Sequence, residues 1–234
     1  VEGAVNCWEE HESPYQLFVD VLGRMGIAAS AALPPRIGMC ESAPWFIADG
    51  VRRLAAGYEL DNASAVTAFC RSRKSSAEIA LMQRVKDMTL AVHKAAASIL
   101  YAGITTVEVA DFIARAHRKV GAPGSYFCIV LFGEATAYPH GVNYVQTLKD
   151  GDMVLIDTGC QLKGYISDIT RSYVFGEATE RQRFVWNAEK AAQQAAFDAA
   201  QLGVPCRRVD EAARASLERD GFGPGYKLPG LPHR

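Results

Sequence analysis

The stretch Met153-Val154-Leu155-Ile156-Asp157-Thr158-Gly159, followed by Tyr165-Ile166-Ser167-Asp168-Ile169-Thr170-Arg171, decides how this chain is read. Two runs rich in β-branched and apolar residues are separated by residues 161–164, the spacing of a β-hairpin. A tight turn centred between Leu162 and Lys163 sets Asp157 directly opposite Asp168 on one sheet face. Opposed residues in such a pair have Cβ atoms roughly 4.5–5.5 Å apart. The expectation depends on register, because a one-residue slip moves a side chain to the other face.

Two carboxylates held that close repel each other. Asp157 also closes a run of four apolar residues, which implies partial burial. An ionised carboxylate buried without a partner is costly, and two together are worse. A divalent cation removes the conflict, since carboxylate oxygens are its natural ligands. The plainer alternative is that both aspartates are solvated hairpin residues, or that one of them caps a turn.

Working outward from the hairpin, helix signals surround it. Ser75 with Glu78 forms a capping box for a long helix reaching about Tyr101, with Gly103 as its stop. Ile79, Met82, Val85, Val92, Ala96 and Ile99 make its apolar stripe, with Lys86, Thr89 and His93 on the polar side. Thr105 and Glu108 repeat the box for a helix ending near Gly121, and residues 126–132 read as a buried strand. Residues 150–152 read as a turn, and 153–158 and 164–175 as strands. Thr179 with Gln182 caps a third helix reaching about Gln201, and a fourth runs from Pro205 to Gly221. Helices flanking antiparallel strands make this part α+β.

The first 70 residues read as mixed α/β. Residues 15–25 have helical spacing, residues 31–36 with Pro34-Pro35 are irregular, and residues 45–47 and 66–70 read as short strands or core segments. The polar run 71–75 reads as a linker, which places a boundary between residues 1–72 and 73–234.

Composition narrows the function. The 25 basic and 26 acidic residues nearly cancel and no basic cluster dominates, which argues against a nucleic-acid or anionic-membrane surface. No apolar run approaches the roughly 20 residues that span a bilayer. The six cysteines are scattered without a C-x-x-C pair, and Cys128 lies in an apolar stretch, a pattern that suits buried thiols in a reducing cytoplasm. Val1 opens the chain and Pro232-His233-Arg234 closes it without a terminating element, so the expectation is a stretch of a longer protein.

From about Ser75 to Arg234 the sequence resembles the catalytic domain of the pita-bread metallopeptidases, which include methionine aminopeptidases, Xaa-Pro aminopeptidases and prolidases. The resemblance is carried by Pro139-His140-Gly141, Asp157-Thr158-Gly159, Ser167-Asp168-Ile169-Thr170-Arg171 and Pro232-His233-Arg234, in the family's order. Residues 1 to about 70 resemble the later part of a creatinase/prolidase-type N-terminal domain, which favours the proline-specific branch.

What the resemblance implies is an α+β pita-bread domain that hydrolyses the Xaa-Pro bond of dipeptides with a hydroxide bridging two divalent metals. Asp157 would bind one metal through both oxygens, and Asp168 would bridge the pair. His140 would contact the scissile carbonyl or amide, and His233 would line the substrate pocket. The family's metal-binding histidine and two further glutamate ligands would fall after Arg234. A hard, oxygen-rich ligand set suits manganese, with zinc or cobalt as alternatives. A cytoplasmic homodimer acting on proline-containing dipeptides, with no nucleic-acid or membrane partner, completes the expectation. The alternatives are an Xaa-Pro aminopeptidase on longer peptides, a creatinase-like C–N hydrolase without metal, and a non-catalytic pita-bread binding module. The Asp157/Asp168 pair counts against the last two.

Other histidines have plainer readings. His11 lies in a solvated polar turn, His93 on the polar side of its helix, and His117 partly buried. Tyr138 and Thr170 are candidates for packing on the sheet or lining the pocket.

Overall fold

The computed structural model describes residues 3–29 and 33–223, and they divide into two compact units, residues 1–77 and 78–234. In the first unit, α1 (Pro14–Arg24) begins where the Ser13 hydroxyl accepts from the Gln16 amide, with Pro14 at the first helical turn. The parallel strands β1 (Arg36–Met39) and β2 (Glu59–Asn62) are joined through α2 (Trp45–Leu54), a short β-α-β crossover. Then comes α3 (Ser64–Ser72).

Here two sequence expectations are corrected. Residues 45–47 and 66–70 lie in α2 and α3, not in strands, and Trp45 and Phe46 are 74% and 65% exposed. Short apolar runs do not distinguish helix from strand. What decides α2 is Ile47 and Val51 at four-residue spacing, with Pro44 at the N-cap. A Cβ on Gly50 would collide with the Tyr15 ring, so this glycine lets α2 approach α1 closely.

The second unit is helices packed on an antiparallel sheet. α4 (Ser76–Ser98) leads to α5 (Thr106–Lys119), whose N-terminus carries the reciprocal capping box of Thr105 and Glu108. The strands β3 (Ser125–Phe132), β4 (Met153–Leu162), β5 (Tyr165–Ile166) and β6 (Ile169–Val174) follow, with β4 paired to all three others. α6 (Glu180–Ala199), capped by Thr179 and Gln182, and α7 (Cys206–Arg219) then pack together as a pair.

Alternation along β4 assigns its two faces. Val154, Ile156, Thr158 and Cys160 are buried beneath the helices. Val154 and Ile156 join Val92 and Ala96 of α4, Val109 and Ile113 of α5, and Val130 and Phe132 of β3 in one core. The opposite face carries Leu155, Asp157 and Gly159, opposed on β3 by Leu131, Ile129 and Phe127.

Burial corrects three further expectations. His93 and Thr89 are not on a polar helix face: they are 6% and 0% exposed. His117 is fully buried. All six cysteines are free, but Cys7, Cys40, Cys70 and Cys206 are exposed, so only Cys160 and the half-buried Cys128 fit the expectation of buried thiols. Among the described residues no helix is long and apolar enough to cross a membrane.

Candidate metal centre

The β4–β5 hairpin turns through Lys163 and Gly164, with φ of 51° and 87°. Two left-handed residues in succession make a two-residue turn that matches the twist of the flanking strands. Leu162 therefore pairs with Tyr165 and Gln161 with Ile166, one residue later on each strand than a turn centred between Leu162 and Lys163 would give. The same register continues into β6, where Asp157 pairs with Thr170 and Thr158 with Ile169. Asp157 and Asp168 are thus not directly opposed, and that expectation is corrected.

The slip is two residues, however, and the side-chain period of a strand is two. Asp168 falls abreast of Gly159, between the Cys160–Ser167 contact and the Thr158–Ile169 pair. Ser167 is buried on the helix side and Asp168, next to it, is exposed. The two aspartates are diagonal neighbours on the face away from the helices, roughly 7–8 Å apart by standard sheet geometry. Gly159 makes room for this arrangement, because a Cβ there would collide with the Ser167 carbonyl oxygen.

Asp157 Oδ1 is buried and has no hydrogen-bond partner. A buried carboxylate oxygen left unpaired costs at least ~1–3 kcal/mol, and a cation is the simplest group that would satisfy it. The donors present, two carboxylates, fit a hard divalent ion. Among the described residues no third Asp, Glu, His or Cys joins them in a cluster.

His140 lies in an exposed turn, Tyr138 to Gly141, closed by the Gly141 amide donating to the Tyr138 carbonyl at 2.9 Å. Gly141, with φ of 80°, stands over Ile129 and Leu131: a Cβ there would be 3.9 Å from each of their side chains. Ile129 is the β3 residue opposite Asp157, so this loop closes over the face that carries the aspartates. Tyr138 is half-buried and Thr170 is exposed opposite Asp157. His11 is exposed. His233 lies outside the described residues.

Residues 80–233 match the profile of metallopeptidase family M24. The chain belongs to this family. An uncharacterised peptidase of Schizosaccharomyces pombe is 34% identical to it over 220 residues, 92% of this chain and 46% of the relative. Among solved structures, dipeptidase PepE of Mycobacterium ulcerans is 31% identical with a TM-score of 0.75, over 92% of this chain and 56% of that one. Prolidase from Pyrococcus furiosus is 27% identical with a TM-score of 0.73, over 81% and 56%. The M24 chain thus spans about half the length of the curated relative and solved structures it matches.

Reading the sequence missed a group of buried polar residues beneath the M24 sheet. Thr89 Oγ1 lies 2.8 Å from Ser167 Oγ and 3.2 Å from His117 Nε2, and His117 Nδ1 lies 2.9 Å from Ser125 Oγ. His93 Nε2 lies 2.9 Å from the Ile169 carbonyl oxygen. Burial lowers the pKa of His93, against the raising effect of its bond to Ile169. Burial, with a smaller contribution from the charge of His93, lowers that of His117 to about 4. The signal available in the sequence was the four-residue spacing of Thr89 and His93 on the helix face that also carries Val85, Val92 and Ala96.

Proposed function

We propose that the complete protein is a metal-dependent peptidase that cleaves the Xaa-Pro bond of dipeptides, with Asp157 and Asp168 among the ligands of two divalent metals. The observation that carries this reading is the buried, unpartnered Oδ1 of Asp157 on the sheet face that also carries Asp168. Membership of M24 supports it, as does likeness to a dipeptidase and a prolidase. Manganese is the first candidate for an oxygen-rich ligand set, with zinc or cobalt next.

Bound there, the metal pair would polarise the scissile carbonyl and lower the pKa of a water toward neutrality. The chain's own residues then have distinct tasks. Asp157 and Asp168 hold the charge at one wall of the site. His140, on the turn above Ile129, donates a hydrogen bond to the carbonyl oxygen as it gains charge. An Xaa-Pro bond is a tertiary amide without an N–H, so recognition falls on the carbonyl and the two chain ends of the dipeptide. His233 is assigned to the lining of the substrate pocket.

The test is divalent metal content and hydrolysis of Gly-Pro and Ala-Pro by the complete protein, with and without added Mn²⁺, Zn²⁺ or Co²⁺. Metal-dependent cleavage is the expected result. Neither bound nor activating metal would overturn the proposal, and faster cleavage of an Xaa-Pro tripeptide than of the dipeptide would replace it with the aminopeptidase alternative.

A further inference from the structure

Asp168 sits in the short gap between β5 and β6, tied to β4 on one side by the Ser167 amide donating to the Cys160 carbonyl at 3.0 Å. Ser167 and Asp168 belong to neither β5 nor β6, and the Ser167 carbonyl crowds Gly159 on β4. Two further contacts come from beneath, from α4. Thr89 and His93 are four residues apart on α4, so they share one helix face. Thr89 reaches Ser167, the residue before Asp168, at 2.8 Å. His93 reaches Ile169, the residue after it, at 2.9 Å. A carbonyl oxygen only accepts, so His93 carries its proton on Nε2 and donates.

The first contact is the end of a chain in which every group is satisfied by one placement of protons. Ser125 donates to His117 Nδ1, and His117 Nε2–H donates to Thr89. Thr89 donates to Ser167, and Ser167 donates to the Cys160 carbonyl at 3.2 Å while accepting from the Cys160 amide at 2.9 Å. This placement requires His117 neutral, in agreement with its depressed pKa. Buried polar groups cost free energy that apolar residues of similar size would not. The other buried residues of α4 are Val85, Met88, Val92 and Ala96, all apolar. The two polar ones are the two that touch the flanks of Asp168.

We propose that Thr89 and His93 are positioning residues for Asp168, Thr89 by holding the Ser167 side chain before it and His93 by holding the Ile169 carbonyl after it, and so set the direction of its carboxylate. The proposal rests on the reading of Asp168 as a metal ligand. Neither residue touches metal or substrate. Thr89 acts through the Ser167 hydroxyl, which is itself tied to the Cys160 backbone, and His93 acts through the Ile169 carbonyl, while His117 orients the Thr89 hydroxyl.

The experiment compares Thr89→Val, which keeps the shape and removes the hydroxyl, with Thr89→Ser, which keeps the hydroxyl. His93→Met tests the second contact, and Val92→Ala, in the apolar core of the same helix, controls for simple loss of packing. On the complete protein, the Mn²⁺ dissociation constant is measured by calorimetry and the thermal midpoint is measured without metal. Thr89→Val and His93→Met should each weaken Mn²⁺ binding about tenfold or more, as loss of groups that orient a ligand does. Thr89→Ser should stay close to wild type, and Val92→Ala should lower the midpoint while leaving affinity unchanged. If one polar variant does not fold, the other against Val92→Ala decides. Wild-type affinity in the polar variants, or an equal loss in Val92→Ala, overturns the positioning role alone. A wild-type protein that binds no Mn²⁺ overturns the metal reading of Asp168, and this proposal with it.

Discussion

Asp157 pairs across the sheet with Thr170, which leaves Asp168 one pleat further along beside Gly159. The neighbour directly facing Asp157 is therefore a hydroxyl residue, and its buried Oδ1 still has no partner. In the absence of metal this oxygen is a liability to the fold. Asp157→Asn removes the charge at nearly constant shape, so the metal-free protein should melt within a few degrees of wild type or above it. With the metal the order reverses. Wild type at a Mn²⁺ concentration 100 times its Kd gains ~2.7 kcal/mol, and Asp157→Asn should gain almost nothing. Thermal melts with and without Mn²⁺ check both halves, and an equal metal-induced shift in the variant would remove Asp157 from the ligand set.

Gly159 offers a test of the sheet geometry that does not depend on either carboxylate. A methyl group there meets the Ser167 carbonyl oxygen, which is backbone and cannot rotate away. Gly159→Ala should cost about 1–3 kcal/mol or more, the usual range for overpacking, and should displace Asp168 with it. Chemical denaturation of the metal-free protein measures the first effect and Mn²⁺ titration the second. A variant with wild-type stability would contradict the close approach of residues 167–168 to β4.

Much of this was legible in the sequence, for identifiable reasons. The capping boxes at Thr105/Glu108 and Thr179/Gln182 are local chemistry, and both helices start where the boxes place them. The sharing of one face by Asp157 and Asp168 survived an error in register because the error was two residues and the strand period is two. The register itself was not legible. Lys163 adopts φ of 51° without the Asn-Gly or Asp-Gly pair that announces such a turn, and one side of the hairpin gives no other cue. Thr89, His93 and Ser167 were legible only in part, through the four-residue spacing of Thr89 and His93 on the apolar face of α4. What that spacing does not record is where their contacts fall, Thr89 on Ser167 and His93 on Ile169, 78 and 76 residues away along the chain. In the first unit, Trp45 and Phe46 combine apolar chemistry with high exposure, and hydrophobicity alone misassigned them to a core.

His140 should separate catalysis from binding. It sits in an exposed turn over the β3–β4 face, so truncation there has little to unpack. His140→Ala should leave the melting temperature nearly unchanged, within the ~0.5 kcal/mol typical of surface substitutions, and should leave Mn²⁺ affinity intact. Its kcat on Ala-Pro should fall ~10²–10³-fold, the usual cost of losing one donor to a developing oxyanion. Steady-state kinetics on the Mn²⁺-loaded protein decide: an unchanged kcat with a raised KM would make His140 a binding residue instead.

The buried histidines give the fold an acid limit. His117 has its pKa lowered from an ordinary 6.5 to about 4, chiefly by burial and secondarily by the charge of His93. Above pH 6.5 the ring is neutral in both folded and unfolded chains, and its contribution to stability is fully present. As the pH falls from 6.5 toward 4, the unfolded chain takes up a proton that the folded protein refuses, so stability drains away across this window. The loss is ~1.4 kcal/mol per pH unit inside the window and ~3 kcal/mol across it. His93, lowered by burial in the same direction, adds to it. His117→Gln has no ring to titrate and retains a donor and an acceptor, so it should be less stable than wild type at pH 7 but lose less between pH 7 and 4.5. Urea denaturation of the metal-free protein at each pH measures the difference. Parallel curves for wild type and His117→Gln would mean that His117 titrates in the folded protein as it does in water, which its zero exposure and two hydroxyl partners argue against.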